Sequence, residues 1–314
     1  MKHIVLAGPT ASGKTELALA LARKLDAQII SADSRQIYRG LTHGTAKPEG
    51  VWEKGTYRVQ GIPYHLVDFL PPDKTFDAAA FCAQAAALTR EKTHTPFIFA
   101  GGTGMYLHAF FVGMDPLPPS DPALRAELTA FAAARGKAAL HARLAEQDPV
   151  SAAQIPAGNI QRVMRALEIT LLAGKPASEL KSGAFFGQFP EEKALFVYLN
   201  WDKELLNARI ERRTRGMLDP MAAETRALLA AGAAADCPAL KSLGYPQILQ
   251  WINGEKSREE TFDKIFTLTR QYAKRQRTWF NRYKNALRLE LHSEKEFSAE
   301  DLSQQIIEKY TSYA

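Results

Sequence analysis

Short apolar blocks alternate with longer amphipathic blocks over residues 1–114, and this order predicts strands separated by helices. An apolar run with the length of a buried strand stands at Ile4–Ala7, and the helix-like stretch Glu16–Ala22 follows it. Further strand-like runs are Ala27–Ile30, Pro96–Ala100, Leu195–Leu199 and Leu287–Leu291. Alternation of this kind is typical of a parallel sheet covered by helices on both faces.

The strand pattern stops at residues 115–122, where four of eight residues are proline. Such a segment predicts a rigid connector. From residue 123 to about 182 the sequence is rich in alanine, and apolar positions recur at helical spacing without a strand signal. We therefore expect two domains: a core formed by residues 1–114 and 191–314, and an inserted all-helical domain at residues 115–190.

Residues 8–15 carry the clearest chemistry, because they combine glycines, a lysine and a threonine between a predicted strand and a predicted helix. In such a loop the glycines let the backbone approach a diphosphate, and amides at the helix start donate to it. Lys14 adds a mobile positive charge, and Thr15 can ligate Mg²⁺ through its hydroxyl. The predicted diphosphate-binding residues are Gly8, Pro9, Thr10, Ala11, Ser12, Gly13, Lys14 and Thr15. The expected fold class is therefore α/β, with a P-loop NTPase-like parallel-sheet core and a smaller inserted helical domain.

Asp33 follows the second predicted strand, so it should lie at the carboxyl edge of the sheet beside the phosphate loop. An acid there can be a metal ligand or a general base, and it can also simply cap a helix or a loop. The third strand runs into Gly101-Gly-Thr-Gly104 and not into the aspartate that a nucleoside triphosphatase would use. This glycine cluster indicates either a wall where substrate approaches the backbone or a tight turn.

Charge adds a second signal near the carboxyl terminus. The chain of 314 residues carries a net charge of +6, and residues 264–289 contain eight Lys or Arg and no Asp or Glu. Basic residues recur there at helical spacing among aromatic residues, which is typical of a helix that packs on one side and meets phosphates on the other. A solvated basic helix face would give the same pattern.

Other features restrict the class of protein. The two cysteines, Cys82 and Cys237, have no metal-binding spacing, which favours a reducing compartment and excludes a zinc finger. The first strand begins almost at the amino terminus, and no apolar run approaches the ~18 residues of a membrane span. We expect a cytoplasmic protein that has no membrane association.

The motifs in their order resemble those of the tRNA dimethylallyltransferases, also called tRNA isopentenyltransferases, of the bacterial type. The resemblance covers nearly the whole chain. It rests on the phosphate loop and on these segments: Ser31-Ala-Asp-Ser-Arg-Gln-Ile-Tyr38, Gly44-Thr-Ala-Lys-Pro48, His65-Leu-Val-Asp68, Gly101-Gly-Thr-Gly104, Asn159-Ile-Gln-Arg-Val-Met-Arg-Ala-Leu-Glu168, Gly244-Tyr245 and Arg270-Gln-Tyr-Ala-Lys-Arg-Gln276.

The resemblance implies transfer of a dimethylallyl group from dimethylallyl diphosphate to the exocyclic N6 of the adenosine 3′ to the tRNA anticodon, with release of diphosphate. It implies four catalytic residues. Asp33 acts as general base, Thr10 contacts the bridging oxygen of the diphosphate, and Lys14 with Mg²⁺ meets the charge that develops there. Within residues 209–217 the pattern points to Arg213 as a further cation, although any arginine of that run could lie on a solvated helix face.

The resemblance also implies a set of tRNA-binding residues. They are Asp33, Ser34, Arg35, Gln36, Thr103, Arg125, Gln161, Arg162, Val163, Met164, Arg165, Lys241, Ser242, Leu243, Gly244, Tyr245, Pro246, Lys274, Arg275, Gln276 and Arg277. Pro246 departs from the family pattern, in which a longer polar or charged residue is common, and proline offers no backbone donor.

Three other functions use parts of the same pattern. A small-molecule P-loop kinase would bind ATP in the same loop, a prenyltransferase could act on free adenine nucleotides, and an RNA-binding module could merely retain the loop. The helical insert and the basic carboxyl-terminal stretch favour tRNA as the partner. No obligate protein partner is evident, and a monomer is expected.

Overall fold

Eight strands form one sheet in the computed structural model, which describes residues 2–180 and 187–312. The strand order is β3-β4-β5-β2-β6-β1-β7-β8. The strands span β1 His3–Ala7, β2 Gln28–Ser31, β3 Val51–Glu53, β4 Thr56–Val59, β5 Ile62–His65, β6 Phe97–Gly101, β7 Ala194–Trp201 and β8 Leu287–Leu291. All five strand-like runs of the sequence are therefore strands, with bounds shifted by at most a few residues.

The predicted parallel sheet is confirmed for its central part, since β5, β2, β6, β1, β7 and β8 pair in parallel. An antiparallel extension, β3-β4-β5, was not predicted. Its strands have three or four residues each and carry polar residues, so they lack a strong apolar signal. The glycines in the two hairpin turns are the local sequence signal of this extension. Both residues of Lys54-Gly55 and of Gln60-Gly61 have positive φ, as in two-residue type I′ hairpin turns.

Helices cover both faces of the sheet. Val5 of β1 packs with helices on one face, whereas its neighbours Ile4 and Leu6 pack with helices on the other, as the two-residue period of a strand dictates. The helices span α1 Lys14–Leu25, α2 Ala78–Glu91, α3 Gly104–Phe111, α4 Pro122–Gln147, α5 Pro149–Gln154, α6 Ile160–Ala173, α7 Lys203–Ala230, α8 Tyr245–Ile252, α9 Arg258–Phe280 and α10 Ala299–Ser312.

The chain divides into two compact units, one of which is Gly113–Gly187 and the other the rest of the chain. The smaller unit contains α4, α5 and α6, which pack around a separate apolar cluster that includes Leu128, Leu140 and Leu167. The predicted insert at residues 115–190 covers nearly the same segment. Lys181, Ser182 and the four residues after them lie outside the described residues.

Among the described residues, every helix is too short or too polar to cross a lipid bilayer.

Candidate active site

The phosphate loop connects β1 to α1 and turns sharply at two residues. Ala11 and Gly13 have positive φ values of 63° and 89°. Gly13 caps α1, so the first backbone amides of that helix point toward the loop. A side chain at Gly13 would collide with the ring of Phe297 as well as adopt a strained backbone, so only glycine suits this position.

A cavity of about 230 Å³ lies in front of this loop. It brings together the four predicted catalytic residues, which come from three separate parts of the chain. The described residues that line it are Thr10, Ala11, Ser12, Gly13, Lys14, Thr15, Glu16, Asp33, Gln36, Thr45, Ala46, Tyr64, Ala100, Gly101, Gly102, Arg213, Tyr272 and Gln276. The remaining loop residues, Gly8 and Pro9, are buried behind it.

Lys14 is folded back on the loop. Its Nζ donates to the carbonyl of Pro9 at 2.7 Å and to Ser12 Oγ at 3.4 Å. Burial lowers the pKa of Lys14 to about 8, Asp33 partly offsets this effect, and Arg213 adds to it. The acceptors that its ammonium group contacts among the described residues are thus neutral, and a bound diphosphate would supply an anion.

Arg213 reaches the cavity from α7. One of its terminal nitrogens, Nη2, donates to Thr10 Oγ1 at 2.6 Å. Its Nε is buried and has no hydrogen-bond partner among the described residues. Burial lowers the pKa of Arg213, and Asp33 partly offsets this. A buried guanidinium whose Nε–H has no hydrogen-bond acceptor is suited to bind an anion.

Asp33 also lines the cavity and is fixed by its own turn. Its Oδ1 accepts from the backbone nitrogens of Arg35 at 2.8 Å and Gln36 at 3.3 Å. The backbone nitrogen of Ser34 donates to Thr103 Oγ1 at 3.0 Å, which ties this turn to the end of β6. Asp33 thus caps a turn and also lines the cavity, and its role as general base or metal ligand stays a prediction.

Gln276 is buried in the cavity wall, although the resemblance placed it among the tRNA-binding residues. Its Oε1 accepts from the backbone nitrogen of Thr10 at 2.8 Å, and its Nε2 donates to the carbonyl of Gly102 at 3.0 Å. One side chain of α9 therefore joins the phosphate loop to the end of β6. In this structure Gln276 shapes the cavity and does not face solvent.

The glycine cluster after β6 is crowded by the protein itself. A side chain at Gly101 would meet the backbone of Ala32, one at Gly102 would meet Gln276, and one at Gly104 would meet the ring of Trp279. Gly101 and Gly102 nevertheless line the cavity, so both a wall approached by substrate and a tight turn remain open for this cluster. The glycines allow these elements to pack against the site.

The other side of α9 faces a second, larger groove of about 560 Å³. Its lining includes four cations, and none of its described lining residues is Asp or Glu. They are Lys203, Leu206, Asn207, Thr267, Arg270, Gln271, Ala273, Lys274, Arg277, Thr278 and Asn281. Helix α9 therefore presents Tyr272 and Gln276 to the cavity and a row of cations to the groove.

Some of the predicted tRNA-binding side chains are buried. Val163 and Met164 pack in the core of the smaller unit. Ser242, Gly244 and Tyr245 are buried around the start of α8. The structure assigns these five to packing and not to direct side-chain contact with RNA in this conformation.

Arg125 and Arg165 form an ion-pair network around a buried glutamate inside the smaller unit. Arg125 binds both carboxylate oxygens of Glu168, at 3.0 and 3.1 Å, and Arg165 binds Glu168 at 2.6 Å. Burial alone would raise the pKa of Glu168, but these hydrogen bonds and those from Ser120 and Asp121 lower it to about 2. The two arginines thus already have an anionic partner.

Gln36 of the predicted tRNA-binding set is also buried, where it lines the cavity. The remaining members retain some exposure. Leu243 and Arg277 are half-buried. Pro246 occupies the first turn of α8, where its missing N–H costs nothing. The members whose residues are exposed are Arg35, Arg125, Gln161, Arg162, Lys241, Pro246, Lys274 and Arg275.

Sequence reasoning missed several residues that build the site. Tyr64 and Tyr272 line the cavity, and burial raises the pKa of both phenols. Arg209 and Trp201 support the loop. Arg209 Nε donates to the carbonyl of Ala11 at 2.8 Å, and its guanidinium lies over the ring of Trp201. Trp201 Nε1 donates to the carbonyl of Ser12 at 3.0 Å. These contacts join distant parts of the chain, so no local pattern could reveal them.

Thr15 and Asp33 offer oxygen donors at the same cavity. Among the described residues, His, Cys, Asp and Glu do not cluster in threes around any one point as a protein-made metal site would need. Mg²⁺ is usually held by one or two protein oxygens together with substrate phosphates and water. The donors present fit that arrangement.

Comparisons with known proteins agree on one family. A family model described as IPP transferase matches residues 36–283. A tRNA dimethylallyltransferase of Elusimicrobium minutum is 53% identical over 284 residues, which cover 90% of this chain and 92% of that protein. A second, of Stenotrophomonas maltophilia, is 41% identical over 290 residues and 88% of each chain. The crystal structure of a tRNA isopentenylpyrophosphate transferase from Bacillus halodurans has a TM-score of 0.68 and 31% identity, covering 99% of this chain and 96% of that one.

The fold and the cavity define a P-loop α/β protein whose Lys14 and Arg213 both line the cavity in front of the loop. The matched span and the identity to whole-length relatives show, further, that the chain belongs to the IPP transferase family. The resemblance inferred from the sequence motifs is thereby confirmed.

Proposed function

We propose that this protein transfers a dimethylallyl group from dimethylallyl diphosphate to the exocyclic N6 of the adenosine 3′ to the tRNA anticodon. Its family consists of transferases, so a bond-forming transfer is its reaction class. The observation that carries the proposal is the single cavity that Lys14, Thr10, Arg213 and Asp33 line together. Cations and a carboxylate placed in this way suit a reaction that expels an anion and removes a proton.

The donor's diphosphate would occupy the phosphate loop. As the bond between the allylic carbon and the diphosphate oxygen breaks, negative charge accumulates on the leaving group. Lys14, the buried Arg213 and the amides at the start of α1 meet that charge, and preorganised donors of this kind lower the barrier. The Thr10 hydroxyl, held by Arg213 at 2.6 Å, is positioned to contact the bridging oxygen.

The acceptor's proton would pass to Asp33. The adenine nitrogen forms a bond to the allylic carbon, its surplus proton moves to the Asp33 carboxylate, and diphosphate departs. Two backbone N–H groups fix Oδ1 of Asp33, so the carboxylate has a defined orientation before substrate arrives.

Mg²⁺ would be held by Thr15 together with the substrate's own phosphate oxygens and water. When bound, it supplies further positive charge at the leaving diphosphate.

The tRNA would be held by the exposed cations of the chain. The basic groove of α9 supports this, because four cations without an acid in its lining suit a chain of phosphates. Arg35 and Arg162, both exposed, are further candidates. A role of the helical unit in holding tRNA, a cytoplasmic location and a monomeric state remain predictions from the sequence.

Incubation with tRNA, Mg²⁺ and labelled dimethylallyl diphosphate, followed by nucleoside analysis, tests the proposal, with ATP present as a competing donor. We expect label on N6 of one adenosine and no consumption of ATP. Unmodified RNA together with phosphorylation of a metabolite would favour the kinase. Label on free adenine nucleotides but not on tRNA would favour the nucleotide prenyltransferase, and tRNA binding without turnover would favour the RNA-binding module.

A further inference from the structure

The loop Thr42–Ala46 forms one wall of the cavity through Thr45 and Ala46. Its first residues are fixed by Glu224, which lies on α7, far from the loop along the chain. Oε2 of Glu224 accepts from the backbone nitrogens of Thr42 at 2.8 Å and His43 at 3.0 Å, and Oε1 accepts from that of Gly44 at 3.0 Å. Three successive amides therefore converge on one carboxylate, as in an anion-binding nest.

Tyr245 supplies a fourth donor to the Glu224 carboxylate. Its ring is fully buried, and its hydroxyl donates to Oε1 of Glu224 at 2.5 Å. A side chain at Gly44 would collide with Tyr245 and with Met221, so the loop lies directly on the ring. The Gly44 and Gly244-Tyr245 motifs of the sequence thus meet in space, and their common function is to hold the loop.

The far end of the loop is tied to the catalytic turn. Nε2 of Gln36 donates to the carbonyls of Thr45 at 3.3 Å and Ala46 at 2.9 Å. The backbone nitrogen of the same Gln36 donates to Oδ1 of Asp33. A shift of the loop would therefore be transmitted through one residue to the carboxylate of Asp33.

We infer that Glu224 is a positioning residue for the transfer reaction: it fixes the wall formed by the Thr42–Ala46 loop and, through Gln36, the orientation of Asp33. The inference rests on the proposed function for its kinetic consequence. Its structural part, that Glu224 orders the loop, stands on the hydrogen bonds alone.

Glu224→Gln is the informative variant, because it keeps the size of the side chain and replaces one acceptor oxygen with an NH₂ group. Whichever oxygen is replaced, at least one backbone N–H then faces a donor. We expect kcat to fall at least tenfold while the KM for tRNA stays within about twofold. Tyr245→Phe removes one of four donors and leaves the amides paired, so its effect on kcat should be smaller.

The matched control is Glu211→Gln, which removes a half-exposed carboxylate of the same helix that pairs with Arg215. Rates are measured well below the lowest Tm of the set, so that a loss of stability alone does not change them. Backbone hydrogen exchange of a peptide spanning residues 41–48, read by mass spectrometry, reports the order of the loop without any substrate.

The expected result is faster exchange of that peptide and a lower kcat in Glu224→Gln, with both unchanged in Glu211→Gln. Unchanged exchange, or faster exchange with a wild-type kcat, would overturn the inference, since Glu224 would then serve stability only. A wild-type protein that fails to prenylate tRNA would instead refute the proposed function, and the exchange comparison would still decide whether Glu224 orders the loop.

Discussion

Two groups of arginines in this protein differ in a way that separates binding from folding. In the smaller unit, Arg125 and Arg165 surround the buried Glu168, so the protein itself neutralises part of their charge. In the cavity, Arg213 donates a hydrogen bond to a neutral hydroxyl, its Nε has no hydrogen-bond partner among the described residues, and Asp33 offsets only part of the effect of burial. The comparison teaches that an arginine in a family motif indicates a ligand site only where no carboxylate of the protein pairs with its guanidinium.

The largest loss of turnover should come from replacing Asp33, the carboxylate that lines the same cavity as Lys14 and Arg213. Asp33→Ala should lower turnover by about 100- to 10,000-fold, the usual contribution of a general base. Because the variant removes proton transfer and leaves the exposed cations in place, tRNA affinity should change little. Steady-state kinetics combined with a tRNA-binding measurement checks both halves. A variant with wild-type turnover would remove Asp33 from the role of base.

Arg213→Gln should come next, with turnover lower by about 100- to 1,000-fold, the typical cost of losing one charge-stabilising donor. The matched control is Arg212→Gln on the same helix, because Arg212 pairs with Glu294 at the surface. Kinetics of both variants with dimethylallyl diphosphate provide the measurement. Equal losses in the two would show that position on α7, and not access to the cavity, decides the effect.

Glu168→Gln tests the arginines of the smaller unit, whose role is structural. It should lower the free energy of unfolding by about 2 kcal/mol, which is the scale of hydrogen bonds to charged groups. The folded pKa of Glu168, about 2, lies below its ordinary value of 4.5. The stability it contributes is therefore full above pH 4.5 and is lost as pH falls toward 2.

Thermal unfolding of the wild type and of Glu168→Gln across pH 2 to 7 measures this contribution. The gap in Tm between the two should narrow as the solution becomes acidic. A gap that does not depend on pH would contradict the role given to the carboxylate charge.

The smallest effect should follow from replacing Lys274 and Arg275 on α9 with glutamine. For every RNA phosphate that the variant no longer neutralises, the slope of log affinity for tRNA against log salt concentration should flatten by about 0.7 to 0.9. Binding isotherms at several salt concentrations give this slope. An unaltered slope would show that these two cations do not touch RNA.

The sequence alone predicted the central sheet, the phosphate loop and the family, because each depends on local patterns. Strands reveal themselves by apolar runs such as Ala194–Trp201, and the loop by its glycines and lysine. It could not distinguish Gln276, which shapes the cavity, from the exposed Lys274 two residues earlier. That distinction depends on which face of α9 meets the loop, and hence on contacts between residues far apart in the chain.

The same limit applies to residues carried over from the family pattern. Tyr245 and Val163 stand in matching segments, yet both side chains are buried. A shared motif records that a residue matters without saying whether it binds a partner or supports the fold. Burial and hydrogen-bond partners supply that answer.

The most direct test is a calorimetric titration of inorganic diphosphate into the wild type, Arg213→Gln and Arg125→Gln. It asks whether the arginine without a carboxylate partner in the described part of the chain is the one that binds the ligand. We predict that Arg125→Gln binds diphosphate like the wild type and that Arg213→Gln binds it at least tenfold more weakly. Equal binding by the wild type and Arg213→Gln, or a comparable loss in both variants, would contradict the account.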